Sequence, residues 1–453
     1  MGVKRSIAVV GAWAAMLGFA ASAFAIELPS VPPGVFETSA GCGCHGEFRD
    51  QWSRTMHSQA ISDPLYQYKL AKGNEETDGA IGDFCETCHS PAAAMWGELG
   101  RDPSDFSPAA AEGVTCDVCH QITGHTEPVG NVSLEWTPDG TKRGGLMDSF
   151  SPVHATEFSP VHTSAEFCGS CHQVIHPVND LVLEGTYTEW KESPYADEGI
   201  VCQDCHMTPG PGVTKPNPGR VGSGAPEREH IYIMTFAGGN VALGDAELAE
   251  ERLQAAAEME VLAPDVVAPG EAASVGVRIT NVGAGHYLPT GLTDVRRMWV
   301  ELVATGPDGE SYEIGRREFH TVFHDAEGNA PAEIWFAEGV ESDDRIPPRE
   351  SVEEMWDVTM PSGPLELNAT LYYRSAPEEM AEAAGVDVPT TTMTQTSATV
   401  FTSAEEAAEN ARPGAPAEEV AEGLAPLLLV TVFVILAAIA GVGAYFIMKA
   451  RRS

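Results

Sequence analysis

Alternating apolar and polar residues predict β-strands in the C-terminal half of the chain. The alternation has period two over residues 274–280, 298–303 and 365–373, and glycine- and proline-rich turns separate these segments. Period two is typical of strands with one buried and one exposed face. We therefore predict a small antiparallel β-sandwich domain over residues 260–402.

A helix is predicted immediately before this domain. Asp245 is a suitable N-cap, and apolar residues follow it at helical spacing as far as Met259. We assign residues 244–259 to a linking helix. The preceding part, residues 26–243, is rich in glycine, proline and serine and has few long periodic stretches. It therefore lacks the pattern of an ordinary hydrophobic core.

The N-terminus has the pattern of an export signal. Lys4 and Arg5 precede an apolar stretch at 7–20, and Ala-Phe-Ala follows at 23–25. A basic start, an apolar stretch and a small-x-small cleavage sequence are typical of a secretory signal peptide. We therefore predict a signal peptide at residues 1–25.

The C-terminus has the pattern of a membrane anchor. Residues 424–448 are uncharged and apolar, which is long enough for a helix to cross the ~30 Å hydrocarbon core of a bilayer. An acidic, alanine- and proline-rich linker precedes them at 403–423, and a basic tail follows at 449–453. The positive-inside rule predicts a single-pass protein of the cytoplasmic membrane, with a cytoplasmic tail and its body on the periplasmic or extracellular side.

The net charge of −40 limits the possible partners. Binding to nucleic acid depends on clustered cations that contact phosphates, so we exclude nucleic acid. An acidic surface keeps a protein soluble and attracts basic partners. We expect redox protein partners, and self-association remains open.

The cysteines carry the main chemical signal. All ten lie in five motifs, four of which have the spacing Cys-x-x-Cys-His that is used for covalent attachment of haem c. The cysteine pairs are Cys42/Cys44, Cys85/Cys88, Cys116/Cys119, Cys168/Cys171 and Cys202/Cys205. The first pair has only one intervening residue, so this motif could bind haem through one or both thioethers or be an unrelated cysteine pair. We predict five haem c groups, which would supply the apolar core of a mostly α-helical and irregular domain at 26–243.

Histidines are the predicted iron ligands. Each motif ends in a histidine that is placed to be the proximal ligand. These residues are His45, His89, His120, His172 and His206. The candidates for the second axial position are His57, His125, His154, His162, His176, His230 and His286. Met207 and Met234 are alternative thioether ligands.

Several of these segments resemble the cytochrome c-552/4 family of multihaem cytochromes. They are Gln-Trp-Ser-Arg-Thr-Met-His at 51–57, the motif at 113–120, the segment 189–207 and the Gly-His-x-x-Pro-Thr-Gly loop that contains His286. The family is related to the tetrahaem cytochromes and hydroxylamine oxidoreductases of ammonia oxidisers. The resemblance implies stacked haems, mostly with two histidine ligands, and a distal role for His57. The sequence departs from the family where Met234 replaces a frequent histidine.

Three functions remain open at this point. The first is a membrane-anchored carrier that relays single electrons from a quinol-linked donor to a periplasmic or extracellular acceptor. The second is an oxidoreductase that acts on nitrogen or sulfur compounds such as nitrite or hydroxylamine, which would need an iron with a vacant position. The third is a binding role for the β-sandwich. We favour the carrier because nine histidines remain after the five proximal ligands, and available imidazoles tend to fill the coordination sphere.

Overall fold

The computed structural model describes residues 26–410. An N-terminal region of short helices and loops is followed by a β-domain. The α-helices are α1 (Gly46–Trp52), α2 (Pro64–Glu76), α3 (Gly82–His89), α4 (Pro91–Trp96), α5 (Pro108–Ala111), α6 (Cys116–His120), α7 (Ala165–Gly169), α8 (Thr186–Lys191), α9 (Pro194–Asp197), α10 (Cys202–His206), α11 (Ala246–Ala256), α12 (Glu378–Ala384) and α13 (Ala404–Asn410). The strands are β1 (Ile122–His125), β2 (Leu134–Trp136), β3 (Lys142–Gly144), β4 (Thr156–Phe158), β5 (Val174–Ile175), β6 (Val182–Glu184), β7 (Ala257–Leu262), β8 (Ala272–Asn281), β9 (Arg297–Thr305), β10 (Ser311–Phe319), β11 (Thr321–His324), β12 (Gly339–Asp343), β13 (Ser351–Thr359), β14 (Leu365–Arg374) and β15 (Thr391–Val400).

Short helices present the cysteine motifs of the N-terminal region. Helices α6 and α10 each consist of one motif, and α3 ends at the histidine of another. Helix α7 ends at Gly169, inside the fourth motif, and the first motif lies in a 3₁₀ turn at Gly43–His45. The strands of this region form only two-stranded sheets. A buried apolar cluster of this region, which includes Ile61, Met95 and Trp136, is built from short helices, short strands and loops.

The β-domain consists of two antiparallel sheets with a common core. The larger sheet has the order β10-β9-β14-β15, and the smaller has the order β13-β8-β7. Alternate residues of β8, β9 and β14 are fully buried between them, for example Val277, Leu302 and Leu367. This alternation is the pattern that predicts the three strands from the sequence, and all three are present.

The predicted linking helix is shorter than the sequence pattern indicates. The Asp245 side chain caps α11 by accepting a hydrogen bond from the backbone N–H of Leu248. The helix ends at Ala256, and the chain continues directly into β7, which pairs with β8. Residues 257–259 thus form strand, because the ladder with β8 satisfies their backbone groups.

The β-domain docks firmly against the N-terminal region. Trp335 packs beside Gly73 of α2 and donates a hydrogen bond from Nε1 to Glu76 at 3.0 Å. The Lys69 ammonium lies 2.7 Å from both Asp294 and Glu333, and it also lies over the Trp335 ring. These contacts fix how the β-domain faces the cysteine motifs.

The predicted fold class needs one correction. It includes a transmembrane helix at 424–448, but none of the helices between residues 26 and 410 is long and apolar enough to cross a membrane. A span needs about 20 residues, and the longest helix in this range, α2, has 13. Residues 424–448 and the predicted signal peptide at 1–25 lie outside the described residues. The fold is a multihaem cytochrome-like region followed by sheets.

Candidate haem sites

The proximal histidines have ordered hydrogen bonds at Nδ1. In four motifs Nδ1 lies against a backbone carbonyl oxygen, as it does for His89 at 2.7 Å from Ala60 and for His206 at 2.7 Å from Ala237. His45 and His120 have the same arrangement with Val221 and Arg143. A hydrogen bond from Nδ1–H leaves the lone pair of Nε2 free for a metal and fixes the orientation of the ring.

Four of the five proximal histidines face a second imidazole. The ring centres are 6.3 Å apart for His45 and His154, 6.2 Å for His57 and His172, 5.8 Å for His120 and His162, and 6.3 Å for His206 and His286. The partners come from distant parts of the sequence, and His286 comes from the β-domain. The fold therefore brings together four pairs that the sequence leaves unassigned.

These separations fit one iron between each pair of rings. A metal–imidazole bond is about 2.0 Å long, and the nitrogen lies roughly 1.2 Å from the ring centre, so two axial imidazoles on one iron have ring centres about 6.4 Å apart. Directly stacked rings would be much closer. The observed separations of 5.8 to 6.3 Å are thus those of histidines prepared for a haem iron.

At His172 burial is outweighed by the hydrogen bond to Glu184 and the charge of that carboxylate, which raise the pKa to about 9. At several other histidines burial favours the neutral form that binds a metal. It lowers the pKa of His57 and His206 to about 3, and that of His89 and His162 to about 4. At His162, Nδ1 is buried and has no hydrogen-bond partner between residues 26 and 410, whereas Nε2 lies 3.1 Å from the Cys119 carbonyl oxygen. Nδ1 is therefore the nitrogen available to a metal on this residue.

Cysteines of different motifs contact one another and thereby order the five sites. We name each site by its proximal histidine. Cys42 lies beside Cys116, Cys88 beside Cys171 and Cys168 beside Cys202. Cys119 also lies close enough to Cys168 and Cys171 to interact electrostatically. The His172 site is consequently next to three others, those of His89, His120 and His206, and the His45 site is next to that of His120.

Cys44 departs from the set of ten thiols that the sequence predicts as attachment points. It is exposed, whereas the other nine cysteines are partly buried, as expected for thiols that face a porphyrin edge. The physical reason is the short spacing of the first motif, because residues two apart in a helical turn do not face the same side. Cys42 is partly buried against Cys116, so the geometry favours a single thioether at Cys42. A second thioether at Cys44 stays a prediction that this exposure does not support.

Comparison with known proteins agrees with this geometry. The family described as cytochrome c554 and c-prime matches residues 41–121, which contain the first three motifs. The chain is a multihaem c-type cytochrome. The predicted resemblance is therefore confirmed at this level, and haem c is the cofactor. Among curated proteins, none matches this cytochrome.

Solved structures support the fold of the cytochrome. The penta-haem cytochrome c552 from Thermochromatium tepidum is 19% identical, with a TM-score of 0.60 over 81% of this chain and 100% of that chain. The CARDB domain of the PF1109 protein from Pyrococcus furiosus, in complex with di-metal ions, is 16% identical over 32% of this chain and 91% of that chain. The TM-score of this second match is only 0.18, and we draw no conclusion from it.

The His89 site of the cytochrome differs from the other four. The ring stacked on His89 is that of Tyr66, with ring centres 3.6 Å apart and an interplanar angle of 12°. The Tyr66 hydroxyl is buried and has no hydrogen-bond partner within the described part of the chain. A buried polar group without a partner is costly, so this hydroxyl fits a site that is completed by the cofactor or a ligand.

The remaining distal candidates lie in other surroundings. His176 is buried against the β-domain, with Nε2 3.5 Å from the Trp335 carbonyl oxygen. His230 accepts a hydrogen bond at Nδ1 from the backbone N–H of Asn217 and packs edge-on against Tyr232. The Nδ1 of His125 lies 3.4 Å from the Thr126 carbonyl oxygen. The ligand roles predicted for these three histidines stay predictions.

Two charged residues lie beside motif histidines at two different sites, and the sequence motifs do not identify them. Arg252 of α11 is buried, lies 3.3 Å from Nδ1 of His206, and forms no ion pair with any carboxylate between residues 26 and 410. Because buried charges are normally paired, a haem propionate is a suitable partner for this guanidinium. Glu184 lies beside His172. No motif distinguishes it among the 66 acidic residues.

Proposed function

We propose that this protein relays single electrons through five covalently attached haem c groups. The observation that carries the proposal is the combination of imidazole pairs at iron-binding separation with cysteine contacts between motifs. When bound, haem c supplies an iron that exchanges one electron at a time. The residues of this chain fix the spacing of the irons and tune their potentials through ligands, hydrogen bonds and burial.

The cysteine contacts support a continuous route between the sites. A cysteine sulfur that is bound to haem lies at the porphyrin edge, so sulfurs in contact bring two porphyrin edges together. The contact between Cys42 and Cys116 connects the first site to the third, and the Cys119 neighbourhood connects the third to the His172 site. Cys88 connects the His172 site to the His89 site, and Cys202 connects it to the His206 site. The route branches at His172.

The partners we propose are redox proteins outside the cytoplasm, with a quinol-linked donor and a periplasmic or extracellular acceptor. Covalent haem attachment takes place on that side of the membrane, and the signal-peptide pattern at 1–25 is consistent with export. The net charge of −40 favours a partner with a basic contact surface.

Haem counting and spin-state analysis test this proposal. We expect the mass of the purified protein to include five haems and the reduced protein to have the sharp absorption bands of thioether-linked haem. Electron paramagnetic resonance should detect low-spin iron at the four sites with paired imidazoles. A colourless protein, or one whose haems exchange no electrons with an added redox partner, would exclude the proposal.

Catalysis at the His89 site is a second candidate function. It is favoured by one observation, the stacking of Tyr66 on His89 where the other sites have an imidazole pair. An iron there with an open position could bind nitrite or hydroxylamine. A high-spin resonance that changes when nitrite is added, together with turnover of that compound, would support this function over simple relay.

A further inference from the structure

His172 is the one proximal histidine whose Nδ1 faces a side-chain carboxylate. Its Nδ1 lies 3.4 Å from Oε1 of Glu184, at the end of β6. In the other four motifs Nδ1 lies against a neutral backbone carbonyl, and at His206 the Arg252 guanidinium is also 3.3 Å from Nδ1. The difference therefore affects one site, and it is the site next to three others.

The charge of Glu184 is protected from water and is not cancelled by a cation. The side chain is 13% exposed. No lysine or arginine between residues 26 and 410 forms an ion pair with it. Arg296 is near enough to interact electrostatically, but its Nη1 donates to the carbonyl oxygen of Ser375. The Thr186 hydroxyl lies 3.4 Å from Glu184 Oε1, but it donates to Thr290 at 2.8 Å, because the Thr290 hydroxyl itself donates to Glu189. The carboxylate thus directs its charge at the His172 ring.

We infer that Glu184 is a positioning residue that lowers the reduction potential of the haem at the His172 site. An Nδ1–H that donates to a carboxylate makes the imidazole a stronger electron donor to the iron. A donor of this kind, and a nearby negative charge, both stabilise the ferric form relative to the ferrous form. The two effects have the same sign. The inference rests on the proposed function, since it requires a haem at this site.

A low potential suits the position of this site in the branched route. An electron that reaches a branch point of high potential would stay there. With Glu184 in place, the ferrous form at the branch is disfavoured, so the electron moves on to whichever neighbouring site is oxidised. Glu184 would therefore keep electrons from accumulating on the haem at the His172 site. The electrons would reside on the haems of the neighbouring sites.

Redox titration of the purified holoprotein tests the inference. In E184Q the amide oxygen can still accept from Nδ1–H, but the charge is gone. We expect the equilibrium constant for reduction of one haem to rise about tenfold or more, which is about 59 mV for a one-electron couple. In E184D the charge remains, and the potential should stay close to that of the wild type.

Two further variants act as controls. Glu166 lies in α7 beside the same motif and accepts from the Tyr187 hydroxyl at 3.1 Å, so E166Q removes an equal charge that does not contact His172. We expect a shift of less than about threefold for E166Q. E184A removes both the charge and the acceptor, and should raise the potential of the same haem. It also serves if E184Q does not assemble.

The outcomes separate this inference from the proposed function. Equal shifts in E184Q and E166Q, or no shift in E184Q with all haems present, would overturn the role of Glu184 while leaving the relay intact. An unchanged potential in E184A, in a protein where E184Q does not assemble, would do the same. If the wild type contains no haem at this site, the proposed function fails first, and haem counting detects that before any variant is titrated.

Discussion

At the scale of single residues, the hydrogen bonds of the two ring nitrogens determine which nitrogen of a histidine is free to bind a metal. The proximal residues His89 and His206 engage Nδ1 with a carbonyl oxygen and leave Nε2 available. His230 has the reverse arrangement, because its Nδ1 accepts from a backbone N–H and the ring proton must then be on Nε2. The hydrogen-bond partner of a histidine thus says more about ligation than its distance from a motif in the sequence.

His286 is the residue through which the β-domain reaches a haem site. We expect H286A to remove the sixth ligand at the His206 site, because these ring centres are 6.3 Å apart. One haem equivalent should change from low spin to high spin, as measured by electron paramagnetic resonance and by the absorption spectrum.

H125A is the matched control for this change. His125 lies in β1, and between residues 26 and 410 its ring forms no pair with a motif histidine of the kind that His286 forms with His206. The spin state should be unchanged in H125A. Loss of low-spin iron in H125A but not in H286A would contradict the assignment.

The loop at 281–291, between β8 and β9, is the element that holds His286 in place. The Asn281 side chain donates to the carbonyl oxygens of His286 and Ile346 at 2.9 and 3.1 Å, and it accepts from the backbone N–H of Ala284. Gly283 lies so close to α11 that an added Cβ would overlap the carbonyl oxygen of Ala255. The loop is therefore shaped by the end of the linking helix as well as by its own sequence.

Substitution of Gly283 should disturb both stability and ligation. In G283A the new methyl group would overlap the backbone of α11, and overpacking of this kind typically costs about 1–3 kcal/mol. We expect a lower free energy of unfolding in guanidinium titration and a partial high-spin signal. In the control G285A the methyl group would lie 3.4 Å from Tyr195, an ordinary contact, so little change is expected. Equal effects in both variants would mean that the loop is not held by α11.

At the scale of the whole molecule, the two regions act as one unit. Lys69 bridges to Asp294 and Glu333, Trp335 packs against α2, and the His286 ring lies opposite His206 of the N-terminal region. The β-domain thereby places an imidazole beside a motif histidine as well as docking against the N-terminal region. The predicted binding role for this domain has no support from these contacts and stays a prediction.

The net charge of −40 should control the kinetics of electron exchange. Oxidation of the reduced protein by the cation hexaammineruthenium(III) should slow as salt is added, and oxidation by the anion ferricyanide should accelerate. The Debye length falls from about 30 Å at 0.01 M to about 10 Å at 0.1 M ionic strength, so stopped-flow measurements in this range suffice. Rates with the same salt dependence for both reagents would show that the acidic surface is remote from the electron-exchange sites.

The haem chemistry of this protein is predictable from local sequence alone. Haem attachment needs two thiols and a histidine at fixed local spacing, so motifs such as Cys85/Cys88 with His89 are recognisable without any tertiary information. The irregular first motif marks the limit of this reasoning, because the exposure of Cys44 is visible only in the folded chain. The strands β8, β9 and β14 are likewise predictable from local sequence, because the period-two alternation reflects burial of one face of each strand.

Which side chains lie opposite or beside each motif histidine depends on how the chain folds. His57 lies opposite His172 and His154 lies opposite His45, and these pairs are brought together by chain folding over long sequence separations. Glu184 and Arg252 are in the same category, since an ordinary acidic or basic residue becomes significant only through what it contacts. Local spacing fixes covalent attachment at the regular motifs, whereas axial pairing, the branch at His172 and the electrostatics around it depend on contacts between distant segments.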